Sequence, residues 1–222
     1  MAAIFVTATG TEIGKTFVTA ALTRHCREHG RPVEVLKPVL SGFDPADVAE
    51  SDPGRLLAAL GEPPSLEAIE RISPWRYKAP LAPNLAAERE GRTLDFDALV
   101  QFCKDAAANS EGTLLVEGIG GLMVPLDDGR TVLDWIAALG WPLILVTGSY
   151  LGTLSHTLTA IEAAKTRGLK IAAVVVSESE ASTVDLADTV KTIQRFSELH
   201  VIALPRRADA DPDAVRRIME CL

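Results

Sequence analysis

The chain lacks any apolar stretch long enough to cross a membrane, and its N-terminus lacks the basic-then-apolar layout of a secretory leader. A soluble, cytoplasmic protein with no membrane partner is therefore expected. Cysteine is scarce: Cys26, Cys103 and Cys221 are odd in number and have no metal-ligand spacing. That argues against a zinc site or a disulfide framework and for reduced structural thiols. Positive charge is also in deficit, with 22 Lys and Arg against 30 Asp and Glu and a net charge of −8. A non-specific nucleic-acid surface needs a positive face, so no nucleic-acid partner is expected. Any phosphate ligand must be held by local geometry and metal, because the overall field repels it. Repeats and low-complexity tracts are missing as well. What the chain does have is apolar matter: 47% of 222 residues, enough to bury a sizeable core as one domain over residues 1–222.

Apolar runs alternate with amphipathic stretches. Strands are expected at Ile4–Thr7, Val33–Lys37, Thr113–Glu117, Pro142–Thr147, Ile171–Val176 and Val201–Leu204. Helices are expected near Lys15–His29, Phe96–Asn109, Val132–Leu139, Thr153–Arg167, Val184–Leu199 and Asp211–Cys221. The strand segments are unbroken runs of Val, Ile and Leu, as in strands buried on both faces. Such alternation predicts an α/β fold with a mostly parallel sheet and helices on both faces. The segment of about 42–92, rich in Pro, Gly and charge, reads as helices and loops inserted within the same domain. In sheets of this kind ligands sit at the carboxyl ends of the strands, so the residues just after each strand carry the chemistry.

After the first strand comes Thr11-Glu12-Ile13-Gly14-Lys15-Thr16. Gly-Lys-Thr between a strand and a helix is a phosphate cradle. Backbone N–H groups hold phosphate oxygens, Lys15 places a charge near the β- and γ-phosphates, and the Thr16 hydroxyl can ligate Mg²⁺. A nucleoside triphosphate is the expected ligand. The match is incomplete, because a full Walker A pattern has Gly where this chain has Thr9. The plain alternative is a helix start with Lys15 in solvent.

After the second strand stands Lys37-Pro38-Val39-Leu40-Ser41-Gly42. Lys37 either points into the crevice or snorkels to solvent, and the sequence leaves both readings open. The third strand ends in Glu117-Gly118-Ile119-Gly120-Gly121. A carboxylate on a buried strand is costly without a cation, which favours a metal-reaching acid at Glu117. Asp52, after Ser51, is an N-cap or turn residue unless the insertion folds back and brings it to that metal. Gly152-Thr153-Leu154-Ser155 opens a helix whose N–H groups could receive an anion, and His156 reads as a packed or capping histidine.

Taken in order, these motifs, with Pro80-Leu81-Ala82-Pro83 and Pro205, resemble dethiobiotin synthetase, a family of homodimeric P-loop enzymes. The resemblance implies ATP- and Mg²⁺-dependent ring closure of 7,8-diaminononanoate with CO₂ (bicarbonate). It implies catalytic roles for Lys37, Lys15, Thr11 and Glu12. It implies nucleotide contacts by Glu12, Ile13, Gly14, Lys15, Thr16, Phe17, Asp52, Glu117, Gly118, Ile119, Gly120, Ser177, Glu178, Pro205, Arg206 and Arg207. Substrate contacts fall to Lys37 and Ser41, and to Gly152, Thr153, Leu154 and Ser155 across a dimer interface. The metal positions are Thr16, Asp52 and Glu117. Three positions depart from the family pattern: Ala8 where Gly is frequent, Gly10 where Asp is frequent, and Ser177 where many members carry Asn for the base. A hydroxyl cannot copy the two-sided pairing of an amide with a purine. Rival readings are a deviant P-loop partitioning or regulatory ATPase and another ligase on the same scaffold. The first lacks its extra lysine, since Gly10 stands there, and the second lacks a glutaminase domain.

Overall fold

The strand-forming runs assemble in parallel, and their pairing order decides which loops meet. The computed structural model describes residues 2–180, 182–207 and 209–222. Six strands, β1 (Ala2–Ala8), β2 (Val33–Leu36), β5 (Thr113–Glu117), β6 (Leu143–Gly148), β7 (Ile171–Ser177) and β8 (Val201–Leu204), form one sheet in the order β2-β5-β1-β6-β7-β8. Every pairing in it is parallel. Alternate residues of β1 feed two separate cores. Ile4, Val6 and Ala8 pack with Val18, Leu22, Val215 and Ile218 of α1 (Lys15–Glu28) and α9 (Pro212–Met219). Phe5 faces the other way, its ring edge-on to Trp135 at 4.8 Å. On that side lie α5 (Phe96–Asn109), α6 (Val132–Leu139), α7 (Thr153–Thr166) and α8 (Leu186–Ser197). Both faces are therefore covered, which is why the strand sequences show no polar alternation.

Where element ends differ from expectation, caps and proline explain it. Asp185 and Asp211 accept hydrogen bonds from the next helix's first N–H groups, so α8 and α9 begin just after them. Pro142 has no N–H to donate and stays outside β6, although its carbonyl accepts from Phe5 N at 3.0 Å.

The inserted segment contains α2 (Asp52–Leu60), α3 (Leu66–Ile72) and α4 (Pro83–Arg89), as the expectation of helices required. It also contains two unexpected strands. β3 (Val39–Ser41) pairs in parallel with β4 (Trp75–Tyr77), Ser41 opposite Tyr77. Val39, Leu40, Leu57, Ile72 and Tyr77 share the core that holds Phe5 and Val116. The insertion thus closes down over the carboxyl end of β2 and β5.

Candidate active site

Register alone brings Lys37 to Glu117. β2 pairs with β5 so that Leu36 lies opposite Val116, which makes Lys37 and Glu117 the next residues along. β1 flanks β5 on its other side with Val6 opposite Glu117, and the chain then turns into the loop before α1. Lys37 and Glu117 are 2% and 0% exposed. Lys37 Nζ donates to Glu117 Oε1 at 2.6 Å and to Gly118 O at 2.7 Å, and lies 3.4 Å from Asp52 Oδ2. Thr16 Oγ1 donates to the same Glu117 Oε1 at 2.8 Å. Glu117 Oε2 is buried with no partner among the described residues.

The open choice at Lys37 is thus decided: its ammonium points inward. Burial pulls that ammonium down, but Glu117 first and Asp52 second more than offset this, so it titrates above an ordinary lysine. Asp52 is not the N-cap of α2. Ser51 is, accepting from Gly54 N at 3.2 Å, which leaves the first-turn carboxylate of Asp52 free to turn toward Lys37. Burial would raise the Asp52 carboxyl, but Lys37 and hydrogen bonding hold it below the usual range.

The loop before α1 is shaped by Gly14 at φ 97°, a left-handed conformation open to glycine. A Cβ there would also stand 2.7 Å from Ser177 Oγ. Glu12 shares the left-handed region at φ 58°. Lys15 folds back so that Nζ donates to Gly10 O at 3.2 Å. It is 7% exposed, and burial, then the neighbouring Lys37 charge, lowers its pKa to about 8.

These groups line a cleft of about 820 Å³ floored by Thr11, Glu12, Lys15, Thr16, Lys37 and Asp52. Ser41, Ile119 and Gly120 line it too, and Pro80 to Pro83 of the insertion form its far wall. Ser41 Oγ is buried and without a partner among the described residues. A second cavity of about 470 Å³ shares Glu12, Gly14 and Phe17 with the first. It runs past Ile13 to Ser177, Glu178, Arg206 and Arg207 at the ends of β7 and β8. A molecule with a polyanionic end and a flat polar end would lie along both.

Some expected residues stand elsewhere. Pro205 lies outside the second cavity's lining, and Gly118 packs its backbone on Phe5, where a Cβ would meet the ring at 2.8 Å. Gly152, Thr153, Leu154 and Ser155 line neither cavity. The Thr153 hydroxyl is buried and donates to Gly148 O at 2.7 Å, so it is committed within the chain. His156 is neither packed nor capping but exposed, with Nδ1 2.9 Å from the Tyr150 hydroxyl. Reading the sequence missed Arg55, which lines the main cleft one turn after Asp52. The signal was there, since residues three apart on a helix share a face.

The donor set suits a hard cation. Thr16, Asp52 and Glu117 offer oxygens only, and one carboxylate oxygen is buried and unused. Two carboxylates, with no third acidic, His or Cys ligand clustered among the described residues, match Mg²⁺, which takes few protein ligands and completes its shell with phosphates and water. The cation whose need was inferred from Glu117 is, in the protein alone, the Lys37 ammonium.

A family model described as an AAA domain matches residues 2–214. A protein of Acidiphilium cryptum named ATP-dependent dethiobiotin synthetase is 50% identical over 196 residues, covering 88% of this chain and 88% of its own. One of the same name from Caulobacter sp. strain K31 is 50% identical over 211 residues, covering 95% and 90%. Among solved structures, the MinD cell division protein of Aquifex aeolicus superposes with a TM-score of 0.53 at 13% identity, covering 98% of this chain and 86% of its own. At that identity the likeness speaks for the fold alone.

Proposed function

The chain belongs to the family of ATP-dependent dethiobiotin synthetases, and from that premise we infer that its cleft holds a triphosphate and a diamine against two lysines. It is an ATP-dependent ligase that forms dethiobiotin. One amine of 7,8-diaminononanoate captures CO₂ as a carbamate, and the γ-phosphoryl of ATP passes to a carbamate oxygen. The second amine then closes the ring, and ADP and phosphate leave. Little covalent help from the protein is needed; positioning and charge supply the rate. A regulatory ATPase is not favoured, since the likeness to MinD is of fold only while relatives at half identity are synthetases.

The observation that carries the assignment of roles is that the Lys15 and Lys37 ammonium groups line one cleft with Thr16 and Asp52, above Glu117. Lys15 neutralises the transferring phosphoryl group, and Lys37 stabilises the carbamate. Thr11 and Ser41 hydrogen-bond the substrate; the buried, unpartnered Ser41 hydroxyl supports this. Glu12 carries the loop between the two cavities, so it touches phosphate and reacting groups alike. Thr16, Asp52 and Glu117 hold Mg²⁺, which when bound offsets charge on the phosphates. Glu178, Arg206 and Arg207 line the end that receives the base, with Ser177 against the loop.

The insertion belongs to one domain with the sheet, supported by the core its residues share with Phe5 and Val116. The protein is a cytoplasmic homodimer in which the α7 start, away from its own cleft, receives the partner's substrate carboxylate. No helix among the described residues is long and apolar enough to cross a membrane.

The test is ADP release measured with ATP, Mg²⁺, bicarbonate and the diamine, each omitted in turn. ADP is expected only when all are present, with dethiobiotin formed in equal amount. Equal ADP release without the diamine overturns the reading.

A further inference from the structure

We propose that the Lys37 ammonium is the resting occupant of the metal position, surrendering Glu117 and Asp52 to a divalent cation only when a ligand anion in the cleft is present to receive it. This rests on the metal reading above, and it turns on where each donor points. Lys37 Nζ sits 2.6 Å from Glu117 Oε1 and 3.4 Å from Asp52 Oδ2. Thr16 Oγ1 spends its proton on the same Oε1 at 2.8 Å. All three oxygen donors are thus turned on one ammonium or on each other. Meanwhile Glu117 Oε2, sealed from solvent, accepts nothing from the described residues. A buried carboxylate that loads one oxygen twice and leaves the other bare is half of an arrangement that a second, stronger cation would complete.

An ammonium at 2.6 Å and a divalent ion on the same carboxylates repel one another, so the two exclude each other. Lys37 is 2% exposed, so an ammonium displaced within its pocket stays largely out of water. A displaced ammonium therefore needs another anion, since leaving it buried and unpaired is costly. Among the described residues, the acidic side chains lining the cleft are Glu12 and Asp52. Asp52 goes to the metal, and Glu12 stands exposed in the loop before α1. The receiving anion must come with the ligand, as a carbamate or phosphate oxygen. Cation and ligand anion then bind with positive linkage, each tightening the other. The exchange also delivers Lys37 to the reacting group at the moment the metal is in place.

The test is Mn²⁺ binding to the nucleotide-free enzyme, followed by the electron-spin signal of free Mn²⁺. Lys37→Met is expected to bind Mn²⁺ at least about tenfold tighter than the natural chain. Lys15→Met, which removes an equal charge from the same cleft without touching Glu117, is expected to gain less than about threefold; the contrast isolates competition for the carboxylates from general charge. Equal gains in the two variants reduce the effect to charge and overturn the exchange. No gain for Lys37→Met, with Mn²⁺ still weakened by Glu117→Gln, overturns the exchange while leaving the metal site standing. With inorganic phosphate present to receive the lysine, Mn²⁺ binding indifferent to both Glu117→Gln and Asp52→Asn overturns the metal site and the exchange together. Should Lys37→Met fail to fold, the ¹⁵N signal of the Lys37 ammonium in the natural chain decides: it is expected to move on saturation with Mg²⁺ and inorganic phosphate. An unmoved signal overturns the proposal.

Discussion

Lys37 Nζ stands 2.6 Å from Glu117 Oε1, with the two side chains 2% and 0% exposed, so each is the other's buried counterion. Removing one member of such a pair strands the other. Glu117→Ala is expected to cost about 3 kcal/mol in urea denaturation, the low end of the range for breaking a buried pair because Asp52 still faces Lys37. Glu117→Gln keeps the shape and should lose less stability while raising the Mg²⁺ needed for half-maximal turnover. An alanine variant as stable as the natural chain would remove the pair from the fold's support.

Lys15, with its pKa lowered to about 8 by burial and by Lys37, gives triphosphate binding a pH signature. A bound polyanion favours the charged lysine, so the nucleotide-bound form keeps its proton where the free protein has begun to lose it. The affinity for ATP should be flat below pH 8 and fall as pH rises through it, with proton uptake on binding visible by calorimetry in buffers of different ionisation enthalpy. The sign for folding is opposite. Between about 8 and the ordinary lysine value the unfolded chain holds more protons, so this group makes the free protein more stable as pH rises through that window. An ATP affinity that improves with pH above 8 contradicts the assignment.

Gly14→Ala must bear both the left-handed backbone and the contact with Ser177 Oγ. About 1–2 kcal/mol of backbone strain is expected, relieved by opening the loop, so ATP affinity should drop about tenfold or more while the melting temperature changes little. Isothermal titration beside a thermal melt separates the two. Natural affinity in this variant would mean that the loop rearranges freely.

Leu151 is 85% exposed beside the α7 start. If a second copy covers it, Leu151→Asp should halve the sedimenting mass and raise the KM for the diamine, leaving ATP affinity unchanged. A natural chain that sediments as a monomer refutes this arrangement outright.

Most of the main sheet was legible because its strands are mostly continuous apolar runs rich in Val, Ile and Leu. The limits of Thr113–Glu117, Val201–Leu204, Phe96–Asn109 and Val132–Leu139 are the expected ones. The insertion was not. β3 and β4 are three residues each and pair across a long intervening stretch, so neither carries a periodic signal of its own. The positions of Gly14, Lys15 and Thr16 followed from local pattern. The inward turn of Lys37 did not, because it depends on a register between β2 and β5 that no nearby residue states. His156 escaped for a different reason: its exposed pairing with Tyr150 is a matter of local surface geometry that spacing does not state. The resemblance to a known family supplied what pattern could not, the substrate.

The pairing of Leu36 with Val116 has a consequence for anyone reshaping this scaffold. Slipping β2 by a single position would carry Lys37 to the opposite side of the sheet and leave Glu117 without its counterion. A residue inserted or deleted within Val33–Leu36 is therefore expected to break the site, whereas substitutions in the wall from Pro80 to Pro83 touch the cleft without sharing that ladder. Altered acceptance of diamines is to be sought in the wall.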